Sequence, residues 1–195
     1  MNNLQLELKK QLPNIKLNEP LSSYSTFQIG GPADFFYKLQ NTQELHSIID
    51  FCQANELPLY ILGGGSNILF DDQGFRGLII RMENKSISYE NTKIIADSGV
   101  SIPILVKDSI KHGLSGLEPW IGLPGTVGGA VRGNAGCNSL QTQDILIHAA
   151  LMDPKSGQIH EVGNKYFEYK YRYGKIKKTG EIILNATFQL KKSPI

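Results

Sequence analysis

The chain has 195 residues, 41% hydrophobic and 19% charged, with a formal net charge of +2. That length is one large domain or two small ones, enough to bury a core without disulfide or metal staples. So flat a charge balance excludes a broad basic face, and with it bulk attraction to nucleic acid. The 20 glycines exceed ordinary usage and are clustered.

The first residues, MNNLQLELKKQLPN, lack the apolar core and small-residue cleavage site of a secretory signal. No apolar run approaches the roughly 18–20 residues that span a bilayer, so no membrane partner is expected. Cys52 and Cys137 make no disulfide framework, and a cytoplasmic location is expected. His46, His112, His148 and His160 lie far apart and outside any ligand spacing, so no metal site is expected.

In chain order, Leu4, Leu8 and Leu12 predict a short amphipathic helix within a helical lead-in over residues 1–22. Residues 23–82 read as a first α+β lobe. Ala33–Leu39 is strand-like, and a helix opens near Asn41 or Thr42, with Glu44 placed to complete a capping pair with Asn41. Leu45, Ile48, Ile49 and Cys52 share one helical face, which makes Cys52 a core residue. Leu59–Leu62 and Gly77–Ile80 are short apolar strands, and Asn67–Phe70 reads as another between them. Residues 83–195 read as a second α+β lobe. Its strand at Lys93–Ala96 precedes a helix with Ser101 at its cap, Ile102, Leu105, Val106, Ser109 and Ile110 on one face, and Gly113 at its end. Strands follow at 145–152, 159–162 and 182–190, with a turn at Asp153–Gly157.

Three segments carry chemistry. Gly63-Gly64-Gly65-Ser66-Asn67 lies between apolar segments, where successive peptide N–H groups form a nest for phosphate oxygens. It has neither the Lys-Ser/Thr of a Walker A loop nor the third glycine of the Rossmann fingerprint, and a tight glycine hairpin is the other reading. Residues 122–136, GLPGTVGGAVRGNAG, follow the single tryptophan and suggest a backbone packed closely on a neighbour or a ligand. Two such loops favour one extended dinucleotide-like ligand. Phe167–Gly174 alternates aromatic with charged residues, predicting a strand with Phe167, Tyr169, Tyr171 and Tyr173 on one face. Its Arg172 suits a carboxylate; a solvated edge or a nucleic-acid strip are the other readings.

These motifs occur in a telling order: Ser25–Ala33, Leu62–Asn67, Gly122–Ala130, Asn134-Ala135-Gly136 and Tyr171-Arg172. The chain thereby resembles the UDP-N-acetylenolpyruvoylglucosamine reductase family (UDP-N-acetylmuramate dehydrogenases) over about residues 20–190. The resemblance implies an α+β, two-lobed FAD-binding fold of the PCMH/vanillyl-alcohol-oxidase type, with non-covalent FAD between the lobes. It implies FAD contacts at Gly63, Gly64, Gly65, Ser66, Asn67, Pro124, Gly125, Thr126, Gly128 and Gly129. It also implies NADPH as co-substrate and reduction of an enolpyruvyl UDP-sugar to UDP-N-acetylmuramate in peptidoglycan synthesis. Arg172 would be catalytic at the substrate carboxylate, with Tyr171 and Asn134 binding substrate. The family's proton-donating serine lies in a C-terminal substrate-binding domain, which these 195 residues are not expected to include. The expectation is therefore an FAD-binding part that works with a separate C-terminal domain or complementary chain. One half of a split flavoenzyme and a non-catalytic FAD-binding module are the alternatives.

Overall fold

A computed structural model describes residues 3–193. The chain divides into two compact units, residues 1–83 and 84–195, and each forms its own sheet.

The first unit opens with α1 (Asn3–Gln11), which buries Leu8 completely; Leu12, just past its end, donates its N–H to the Leu8 carbonyl. The helical lead-in expected over residues 1–22 is only partly helical, because Lys16–Pro20 forms the strand β1. This short polar edge strand pairs antiparallel with β2 (Pro32–Leu39). A 3-10 turn over Leu21–Tyr24 joins them. Next, α2 (Leu45–Ala54) buries Leu45, Ile48, Ile49 and Cys52 as the spacing predicts. Burial pushes the Cys52 thiol up to about 11, so it is an inert core group. Only half of the expected capping pair forms. Asn41 accepts from the Gln43 N–H, but the Glu44 carboxylate accepts from Tyr37 instead.

The strands β3 (Leu59–Leu62) and β4 (Phe75–Met82) complete the sheet in the order β1-β2-β4-β3. β3 and β4 are neighbours and parallel, so residues 63–74 must carry the chain back to the start of the sheet. That return path is why Asn67–Phe70 is irregular chain and not the expected strand. Along it Phe70 is tucked into a core with Leu21, Ala33, Phe36, Leu62 and Ile79, while Leu69 faces solvent.

The second unit begins with the hairpin β5 (Ile87–Glu90) and β6 (Lys93–Asp97). In α3 (Ile102–Lys111), Ile102, Leu105, Val106 and Ser109 are buried, but Ile110 is about half exposed and does not belong to the apolar face expected for it. Ser101 stands in extended backbone at the cap position without a side-chain cap bond. Then come β7 (Leu114–Ser115), a 3-10 turn at Glu118–Trp120, α4 (Val127–Gly133), and a small hairpin of β8 (Gly136–Cys137) and β9 (Leu140–Gln141). After α5 (Thr142–Ile145) the chain forms β10 (Leu146–Met152), β11 (Ile159–Gly163), α6 (Ile176–Thr179), β12 (Ile182–Gln189) and β13 (Lys191–Lys192). The main sheet is antiparallel with order β11-β10-β12-β6-β5. Fully buried Trp120 anchors the core edge-on to Phe188, and its indole N–H donates to the Leu140 carbonyl.

Candidate functional site

The glycine run sits at the C-terminal end of β3. Gly65 has φ +71°, and a Cβ there would lie 1.8 Å from the Tyr24 carbonyl oxygen, so only glycine is tolerated. The Gly65 carbonyl accepts the Thr26 N–H at 3.0 Å. Among the described residues no loop or turn carbonyl accepts from the N–H groups of Gly64, Gly65, Ser66 or Asn67. Gly64 and Asn67 are exposed, and Gly63 and Ser66 half-buried. The loop is a row of uncommitted donors braced from behind by residues 24–26, which is what an anion nest requires.

The second glycine segment behaves differently. Its middle, Val127–Gly133, is α4, which the sequence reading did not anticipate. The Thr126 hydroxyl accepts from Gly129, while the Val127 and Gly128 N–H groups donate to the Val100 and Ser98 carbonyls. The first turn of α4 therefore spends its donors within the protein. A Cβ on Gly128 would meet Ser98 Cβ at 2.9 Å, so this glycine lets the helix approach the end of β6. Pro124 and Gly129 are exposed, Gly125 and Gly128 half-buried, and Thr126 buried.

Tyr171 and Arg172 do not lie on a strand. Lys170 and Tyr173 exchange backbone hydrogen bonds of 3.0 and 3.1 Å, which makes Tyr171-Arg172 the tip of a two-residue turn. The expected aromatic face is broken accordingly. Phe167 is fully buried and stacks on Tyr169, whose hydroxyl donates to the Val131 carbonyl, whereas Tyr171 is 85% exposed. The inward turn of these rings removes the interleaved aromatics that base stacking would need. Arg172 has φ +54°, a conformation that favours glycine or asparagine. Its guanidinium has no carboxylate partner among the described residues.

An open pocket of about 220 Å³ brings Arg172 and Tyr171 together with Asn134, Cys137, Ser139 and Gln141. Asn134, 1% exposed, is its hub. Its amide donates to Gln141, Gln143 and the Lys170 carbonyl, and its Oδ1 accepts the Gln143 N–H. Every polar atom of this side chain is committed to holding the pocket wall. Gln141 and Gln143 were not among the residues singled out from the sequence. The signal for that turn was Asp144, three residues after Gln141, whose carboxylate accepts the Gln141 N–H at 2.7 Å.

A family model described as FAD binding domain matches residues 33–163. The chain belongs to the FAD binding domain family. It is 39% identical over 193 residues to a UDP-N-acetylenolpyruvoylglucosamine reductase of Listeria welshimeri, covering 97% of this chain and 63% of the relative. It also matches the crystal structure of such a reductase (MurB) from Thermus caldophilus, with a TM-score of 0.76 and 30% identity over 93% of this chain and 63% of that one. The chain thus spans somewhat less than two thirds of these relatives' length. p-Cresol methylhydroxylase matches with a TM-score of 0.70 at 14% identity, covering 99% of this chain and 44% of that one. With these neighbours the fold is an FAD-binding fold of the p-cresol methylhydroxylase type, and FAD is its cofactor. The residues fit that cofactor. The uncommitted donors of residues 64–67 suit a diphosphate, which needs N–H groups and not cationic side chains.

Proposed function

We propose that this chain is the FAD-binding part of an NADPH-using reductase acting on the enolpyruvyl group of UDP-N-acetylglucosamine enolpyruvate, in the cytoplasmic synthesis of peptidoglycan precursors. The reading rests on one observation: the FAD binding domain match encloses the Gly63–Asn67 loop and its unspent N–H groups. Gly63, Gly64, Gly65, Ser66 and Asn67 hold the pyrophosphate. Pro124, Gly125 and Gly129 offer backbone surface to the rest of the cofactor, while Thr126 and Gly128 fix the helix behind it. When bound, FAD supplies hydride acceptance from NADPH and hydride donation to the carbon–carbon double bond.

The remaining chemistry falls to Arg172. Hydride addition to an enolpyruvyl group develops negative charge next to its carboxylate, and a guanidinium fixed on a tight turn meets that charge bidentately. The Tyr171 ring flanks the same ligand, and Asn134 holds the turn through the Lys170 carbonyl. The resemblance places the family's proton-donating serine in a C-terminal domain, and no residue of this chain is assigned that role. Among the described residues no helix is long and apolar enough to cross a membrane.

The test is the visible spectrum of the purified chain, repeated anaerobically with NADPH. A flavin spectrum that bleaches supports the reading. A flavin spectrum that NADPH leaves unchanged makes the chain a non-catalytic FAD-binding module. A protein that neither carries nor takes up FAD refutes the assignment of the glycine loop.

A further inference from the structure

The glycine loop does not hold its own shape. Three residues with φ of +71° or little side chain have few internal constraints, and the constraint comes from the segment behind them. Tyr24 presses its carbonyl against Gly65 so closely that a Cβ would overlap it, and two residues on, the Thr26 N–H fastens to the Gly65 carbonyl. The position of Tyr24 therefore sets the position of the loop.

The Tyr24 side chain is itself held on several sides. Its ring stacks on fully buried Phe36, with centroids 4.1 Å apart. Its hydroxyl donates to the Glu19 carboxylate, which also pairs with Lys16 on the same strand, β1. The Arg81 guanidinium lies 5.1 Å and the Lys38 ammonium 5.8 Å from the ring centroid, within cation–π reach. Both cations are shared with Glu83. Arg81 is the register partner of Leu62, the residue immediately before Gly63. The clamp thus grips the loop at its root and at its middle.

We infer that Tyr24 is a positioning residue for the cofactor loop, holding the Gly64–Asn67 N–H groups in register for a diphosphate, with Glu19 as the anchor of its phenol. This rests on the proposed role of the loop in FAD binding. Glu19 and Tyr24 make no contact with the ligand in this account; they act through Gly65.

The experiment compares Glu19→Gln, Tyr24→Phe, Tyr24→Leu and Gly65→Ala with the parent chain. Three readouts are taken: FAD dissociation constant, thermal midpoint, and the amide resonances of Gly63–Asn67 in the FAD-free protein. Glu19→Gln and Tyr24→Phe remove the charged hydrogen bond without opening a hole. At a temperature where both are fully folded, each weakens FAD by about tenfold, the factor such a bond is worth. Both shift the Gly63–Asn67 amides while leaving those of residues 126–133 in place. Tyr24→Leu weakens FAD further. If Glu19→Gln and Tyr24→Phe fold and bind FAD within twofold of the parent, the positioning role is overturned, whatever Tyr24→Leu does. The Gly65→Ala control separates the two levels. If it too binds FAD like the parent, the loop is not the cofactor site and the underlying reading falls. If it loses FAD while the phenol variants keep it, only the positioning role falls.

Discussion

Arg172 offers a clean separation of backbone strain from side-chain function. At φ +54° an L-residue with a Cβ carries about 1–2 kcal/mol of conformational cost relative to the right-handed region. Arg172→Ala and Arg172→Gly both remove the guanidinium and its exposed contact with the Tyr171 ring at 5.9 Å. Both also keep the Arg172 carbonyl, which accepts from Lys177. They differ only in the Cβ, so their difference reads the strain at this turn. Glycine gives back part of the gain through the greater freedom of its unfolded chain. The expected outcome is that Arg172→Gly is more stable than Arg172→Ala by about 1 kcal/mol, the reverse of their order in a helix or strand. For a chain of this size that is about 2–4 °C in thermal midpoint, readable also as a shift in urea midpoint at constant slope. Under the proposed function both variants also lose affinity for an enolpyruvyl carboxylate ligand, followed through its perturbation of the flavin spectrum. An alanine variant as stable as the glycine variant would show that the turn relaxes, and would refute the claim that strain is retained here for the side chain.

Four further outcomes follow from the same geometry. Asn134→Ala strips four hydrogen bonds from the pocket wall and leaves the Lys170 carbonyl with only the Tyr173 N–H as donor; it lowers unfolding free energy by about 2–4 kcal/mol, measured by urea titration. Gly128→Ala drives a Cβ toward Ser98, costs about 1–3 kcal/mol, and weakens FAD by displacing α4. Trp120→Phe leaves the Leu140 carbonyl without the indole donor and opens a small void, for about 1–3 kcal/mol by the same titration. Burial alone would raise the Glu19 carboxyl, but hydrogen bonds from Lys16 and Tyr24 hold it below its ordinary 4.5. Its contribution is therefore present above pH 4.5 and lost as pH falls through the depressed value. The stability gap between the parent and Glu19→Gln closes on acidification below pH 4.5 and is constant from pH 5 to 8.

What the sequence revealed and what it concealed have physical reasons. α2 was legible because Leu45, Ile48, Ile49 and Cys52 recur at helical spacing, and β6 and β12 because their apolar runs are dense. α4 was concealed because Gly128, Gly129 and Gly133 each cost a helix about 1 kcal/mol. Its formation depends on the Val100 and Ser98 carbonyls capping its first turn, a tertiary effect that no local pattern carries. β1, a polar LysLeuAsnGluPro edge strand, has no apolar alternation to betray it. At 167–174 the error ran the other way, since alternating aromatics imitate a strand. The alternation is broken by a turn with Arg172 at positive φ and by Gly174, where a Cβ would lie 3.0 Å from the Tyr169 ring. The first glycine loop was legible as a loop. The brace behind the first one was not, because Tyr24 and Gly65 are 41 positions apart (65 − 24) and meet only through the sheet.

The distribution of backbone strain ties these features to chemistry. Among the described residues nine that are not glycine adopt positive φ, and Asn134, Asn138, Ser139, Glu168 and Arg172 are five of them. Four of these five line one pocket. Serine and arginine have no local reason to occupy the left-handed region, where asparagine is tolerated and glycine preferred. Such conformations persist only when surrounding structure over-determines them, and here the determinants are visible. The Asn134 amide ties α4, β9 and the Lys170–Tyr173 turn together, the β8–β9 hairpin forces Asn138 and Ser139 through its tip, and Lys177 fastens the Arg172 carbonyl. Asn134 is thus the hydrogen-bonding hub of the pocket wall. A wall so heavily tied holds Arg172, the one charged side chain lining the pocket, at a strained turn, which supports the proposed role of that guanidinium toward a carboxylate.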